Sequence, residues 1–85
     1  MINYKDERFQ QIAELAQSLT EDYDDIICIT CDYRGMDVHV SGKTPMPEPN
    51  KITERSESSY PYEREFTFGN ATFFTLLKKE EVHED

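Results

Sequence analysis

The chain has 85 residues, enough for one small domain, and 18 Asp and Glu against 9 Lys and Arg give it a net charge of −9. That balance argues against direct binding to nucleic acid or to an anionic membrane, because it opposes the counterion release that drives such binding. A domain of this size buries only about 60–65% of its unfolded surface and is stabilised by a few kcal/mol, so its core must be used efficiently, and ten Phe and Tyr residues, each able to bury a large area, point to a folded chain.

The longest apolar run, Ile26 to Ile29, is far too short to span a bilayer. The N-terminus has no basic region followed by an apolar one, so a soluble cytoplasmic protein is expected. Two cysteines, Cys28 and Cys31, do not make a disulfide framework in that compartment, and the sequon at Asn70 is then incidental. No cofactor is implied by any motif.

In chain order, residues 4–20 place Phe9, Ile12, Ala13, Leu15, Ala16 and Leu19 at spacings of three and four, one stripe of an amphipathic helix. Asn3 is the expected N-cap, with Asp6 and Glu7 in the first turn, and the stripe should pack on a sheet. The acidic tract Glu21 to Asp25 is poorly placed at a helix C-terminus and reads as a solvated loop.

From 26 to 42 the period changes to two, with Arg34-Gly35 between two strand-like runs, which predicts a hairpin. Pairing Tyr33 with Met36 puts Ile27, Ile29, Cys31 and Tyr33 on one face with Met36, Val38 and Val40, the expected core side. The other face then collects Ile26, Cys28, Thr30, Asp32, Asp37, His39 and Ser41. In this register Asp32 faces Asp37, Thr30 faces His39 and Cys28 faces Ser41.

Residues 43–61 hold all four prolines among Ser, Glu and Lys and read as a long, stiff connection, with a short edge strand near Lys51 to Arg55. A second hairpin over 62–77 turns at Gly69-Asn70, pairs Phe68 with Ala71 and Phe66 with Phe73, and places Tyr62, Phe66, Phe68, Phe73 and Leu77 on the core side. The charged tail 78–85 is expected to fray. The predicted fold is therefore α+β in a single domain: an N-terminal helix on an antiparallel sheet of two hairpins, four strands with a fifth short edge strand, in an order that local patterns do not define.

The tract from YPYE through the Gly-Asn turn to FFTLL resembles the end of small uncharacterised proteins encoded by phages and prophages of Gram-positive bacteria, over the last third of the chain. The resemblance implies the setting of a mobile-element accessory protein and carries no activity or site residues.

Two kinds of site suggest themselves. Asp32, Asp37 and His39 have the residue types of a metal or catalytic site, and facing carboxylates invite a cation. An open sheet face supplies neither enclosure nor supporting groups for such a site, however. Cys28 with His39 lacks a third residue to orient the imidazole, and the Cys28-x-x-Cys31 spacing sends the thiols to opposite faces, leaving one core and one surface cysteine. A small metal-dependent factor or enzyme is thus the second reading, and no catalytic residue is assigned.

The first reading is a non-enzymatic interaction module. Phe73 and Leu77 face the core while Phe74 and Leu76 point away, so something must cover the second face: the proline-rich loop, a second copy, or another protein. Back-to-back sheets would join Phe74 and Leu76 with Ile26 and Cys28 in a two-fold homodimer. Glu63 and Glu65 would rim this patch and suit a basic protein partner, the form that nucleic-acid-mimicking inhibitors also take.

Overall fold

The structure, a computed structural model, describes residues 1–56 and 59–81. One helix, α1 (Glu7–Asp22), precedes five strands, β1 (Ile26–Asp32), β2 (Gly35–Val40), β3 (Lys51–Glu54), β4 (Tyr62–Phe68) and β5 (Ala71–Leu77), and a short 3₁₀ turn, Lys79–Glu81. The fold is α+β. The strands form one mixed sheet in the order β1-β2-β5-β4-β3. Both expected hairpins are present, but the sheet is not purely antiparallel: they join through parallel pairing of β2 with β5, Val38 beside Phe73 and His39 beside Phe74.

The N-cap of α1 is Asp6 rather than Asn3. Its carboxylate accepts from the Arg8 backbone N–H at 3.0 Å and pairs with the Arg8 guanidinium at 2.6 Å. Asn3 instead closes the preceding turn, its side chain accepting from the Lys5 N–H at 3.1 Å. The helix also runs on through Glu21 and Asp22, two carboxylates in a last turn without a basic residue.

The expected packing of α1 is only partly realised. Its last turns meet the sheet at β1, where Ala16 and Leu19 are half-buried, while Phe9, Ile12 and Leu15 remain 55%, 53% and 65% exposed. The helix is docked at an edge strand and projects from it. The molecule accordingly measures 50 × 28 × 24 Å, with a radius of gyration of 15.2 Å against about 12 Å for a compact chain of this length.

The second hairpin has the expected register throughout, Tyr62 opposite Leu77 to Phe68 opposite Ala71. Gly69 takes a φ of 59° at the first turn position, as a II′ turn requires. In the first hairpin the turn centre lies one residue earlier than expected, at Tyr33-Arg34, so Asp32 pairs with Gly35, Cys31 with Met36 and Thr30 with Asp37. The cause is local: the Asp32 carboxylate accepts from the Arg34 N–H at 2.8 Å, and Gly35 takes a φ of 138°. The Met36 N–H then donates to the Asn70 carbonyl at 2.8 Å, locking the two turns together.

A bulge between Ile26 and Cys28 reverses the expected facing of the first two residues of β1. Ile26 lies on the helix side, opposite Val40, and Ile27 is exposed. Cys31 is not a core residue either, since both thiols are free and exposed.

Among the described residues the buried apolar ones are Val38, Val40 and Leu77, with the rings of Phe66 and Phe73 packed against one another at 6.3 Å. The proline-rich segment folds back to this same side, where Thr44 to Pro47 lie over Val40, Phe66 and Phe73. Asn50 holds the segment's shape by donating to the Pro47 carbonyl at 3.0 Å. The edge strand β3 runs where the short strand near Lys51 was expected, opposite Tyr62 to Glu65. The tail is structured as far as Glu81, whose carboxylate accepts from the Lys78 N–H at 3.0 Å; residues 82–85 lie outside the described residues.

Candidate functional site: the helix-free face of the sheet

Alternation along each strand defines what the helix-free face presents. From one edge to the other it carries Cys28, Thr30 and Asp32 of β1; Asp37 and His39 of β2; Thr72, Phe74 and Leu76 of β5; Glu63, Glu65 and Thr67 of β4; and Lys51 and Thr53 of β3. The expected interaction residues Phe74, Leu76, Glu63 and Glu65 come together here, Glu63 opposite Leu76 and Glu65 opposite Phe74. Cys28 shares the face two strands away, opposite His39. Ile26 does not: the bulge places it on the helix side.

Of the proline-rich segment, Thr44 to Pro47 lie on the helix side, while Pro49 and Asn50 border this face beside Lys51, Glu65 and Thr67. Phe74 is covered in part by His39, whose ring stacks on it with centroids 4.8 Å apart and planes at 12°. This contact depends on the parallel pairing of β2 with β5, for which neither strand carries a local signal. The face thus has an apolar centre, half-buried at Phe74 and Leu76, and a polar border.

Electrostatically the border is acidic but partly neutralised. Lys51 pairs with Glu65 at 3.1 Å, and Arg34 with Asp32 at 2.8 Å. Hydrogen bonds from the Arg34 side chain, then from its backbone N–H, hold the Asp32 carboxyl below its ordinary value; the same pairing raises Arg34, which also lies 5.7 Å over the Tyr33 ring. Asp37 and Glu63 form no ion pair among the described residues. A polar hollow of about 260 Å³ lies between the turns, lined by Asp32, Arg34, Asp37, Glu65, Asn70 and Thr72.

For metal chemistry the residues are differently disposed than the sequence pattern implied. Asp32 faces Gly35 and is bound to Arg34, Asp37 faces Thr30, and His39 lies against Phe74. No cluster of three or more His, Cys, Asp or Glu side chains capable of holding a metal ion occurs among the described residues. Cys28 faces His39 directly rather than diagonally, and its Sγ lies 3.8 Å from the Thr30 hydroxyl.

Lys51, Thr67, Thr72 and Asn70 are members of this face or its hollow that pattern reading did not single out. Thr67 and Thr72 are joined across the hairpin, hydroxyl to hydroxyl at 3.3 Å. The register of the second hairpin was sufficient to find this pair.

No protein-family model, curated protein or solved structure matches the chain. No helix among the described residues is long and apolar enough to cross a membrane.

Proposed function

We propose that this chain is a small non-enzymatic interaction protein whose working surface is the helix-free face of the sheet, and that its partner is a basic protein. The supporting observation is the pairing of Glu63 with Leu76 and of Glu65 with Phe74, which sets carboxylates beside an apolar centre. An apolar centre with a polar rim is the usual anatomy of a protein interface. Asp37 and Glu63, free of ion pairs among the described residues, add an attraction for cationic groups that requires no internal pair to break.

The commitments of the candidate metal and catalytic residues support the same reading over an enzyme. Asp32 is bound to Arg34, and His39 to the Phe74 ring. The setting implied by the C-terminal resemblance, an accessory protein of a phage or prophage acting in the host cytoplasm, belongs to this proposal.

The test is affinity capture from bacterial lysate at low salt, run in parallel with the wild type and with an Asp37→Asn/Glu63→Gln variant. A basic protein retained by the wild type, released at moderate salt and lost with the variant is the expected result. Equal retention by both proteins contradicts an electrostatic role for this face.

A further inference from the structure

The opposite side of the molecule carries an apolar helix stripe that nothing among the described residues covers, and an apolar groove that α1 and the proline-rich segment only partly close. One is the helix stripe of Phe9, Ile12 and Leu15, each more than half exposed. The second is a groove of about 370 Å³ on the helix side of the sheet, where Ile29, Met36 and Phe73 are half-buried around the buried Val38, walled by Leu19 and Tyr23. We propose that the chain is a two-fold homodimer in which the α1 stripe of one protomer seats in this groove of its partner, and the reverse.

Three observations favour a second copy over any other occupant. First, a single chain supplies both an apolar helix stripe without a floor and an apolar groove that only the last turn of its own helix reaches, which is what a self-complementary two-fold interface requires. Second, α1 cannot fill its own groove. Its last turn already lies there through Leu19 and Tyr23, and the exit of the helix is set by hydrogen bonds within the α1–β1 turn, Tyr23 N–H donating to the Leu19 carbonyl at 3.0 Å and Ile26 N–H to the Tyr23 carbonyl at 3.2 Å. The remaining turns of a 16-residue helix, about 24 Å long, point away and could return only by breaking it.

Third, the chain has surface to bury. The chain exposes 7208 Å², against about 5,200 Å² for a compact folded monomer of 10.0 kDa. Residues 1–5, all exposed, contribute part of the roughly 2,000 Å² excess. Counted over two chains, the excess bounds what a dimer could bury and leaves room for an interface of the obligate class, about 2,000–5,000 Å². Three buried apolar residues among the described residues are also a small core, and dimer formation would enlarge it with the three of the stripe.

This inference concerns the face opposite the acidic surface and does not depend on the function proposed for it. It differs from a back-to-back dimer through Phe74, which would bury that surface; here both acidic faces stay outward, making the dimer bivalent.

The experiment is light scattering coupled to size exclusion on the full chain, together with melting at several protein concentrations. The expected mass is twice the 10.0 kDa chain, with a midpoint that rises with concentration. Leu15→Glu, at a position exposed in the isolated protomer, should halve the mass or abolish folding at concentrations where the wild type is folded. A monomeric wild type overturns the proposal, whether compact at about 12 Å radius of gyration or extended. A Leu15→Glu protein that remains dimeric with an unchanged midpoint also overturns it, because the stripe would then lie outside the interface.

Discussion

His39 and Phe74, 35 positions apart in the chain, lie side by side on adjacent parallel strands with their rings stacked at 4.8 Å. The contact ties the two hairpins together on the face that carries the acidic border. It also explains how an apolar Phe74 is tolerated on a surface that no helix covers. A stacked pair of this kind contributes about 0.5–1.5 kcal/mol beyond the area it buries. A double-mutant cycle of His39→Ala and Phe74→Ala, followed by urea denaturation, should return a coupling energy in that range. A coupling near zero would mean that the stack is incidental.

Gly35 and Gly69 both have positive φ, at 138° and 59°, but their surroundings differ. A Cβ on Gly35 would run into the Asn70 carbonyl, whereas one on Gly69 meets nothing within 4 Å. Gly35→Ala is therefore expected to cost about 3 kcal/mol or more, combining backbone strain with displacement of the second turn. Gly69→Ala should cost only the backbone strain of a positive φ, about 1–3 kcal/mol, with no steric clash added. Thermal or urea unfolding of both variants measures the difference.

The Asp32–Arg34 pair predicts a pH dependence. Asp32 has a folded value held below its ordinary 3.8, so its contribution is fully present above pH 3.8 and is lost as pH falls through the lower folded value. Asp6, lowered by Arg8, acts in the same direction. Replacing both by Asn should flatten the acid limb of the stability profile below about pH 4 and leave its shape above pH 5 unchanged. Because both pairs are solvent-exposed, the effect should shrink in high salt. An acid limb unchanged in the double variant would assign it to other carboxylates.

Val38 lies at the centre of the helix-side face and is 2% exposed. Val38→Ala should destabilise by about 2 kcal/mol, the cost of lost methyl groups and an unfilled cavity. Phe68→Ala, at an exposed position at the end of β4, should cost less than half as much. Equal costs would indicate that Phe68 is buried in the assembled protein.

What the sequence revealed and what it concealed divide along the range of the interactions. The second hairpin was legible to the residue because Gly69-Asn70 is a strong local turn signal, and its register alone brought Phe74, Leu76, Glu63 and Glu65 to one face. In the first hairpin the alternation correctly sorted Cys28, Thr30 and Asp32 from Ile29 and Cys31, but the turn centre was misread. The Asp32 carboxylate capturing the Arg34 N–H outweighed the general preference for glycine in the turn. That shift separates Asp32 from Asp37 and removes the geometry on which a carboxylate pair depended. The parallel pairing of β2 with β5, the bulge that moves Ile26, and the projection of α1 from an edge strand are all nonlocal, and periodicity carries no information about them.

The most direct test of the helix-free face as the binding surface is a titration by NMR, with methyl-labelled protein and the basic protein captured at low salt. Leu76 and Thr72 project from that face, while Val38, Val40 and Leu77 lie on the helix side. Perturbation of the Leu76 and Thr72 methyl signals, with those of Val38, Val40 and Leu77 unmoved, is the predicted result. Perturbations confined to Val38, Val40 and Leu77 would contradict it and place the partner on the opposite side of the sheet.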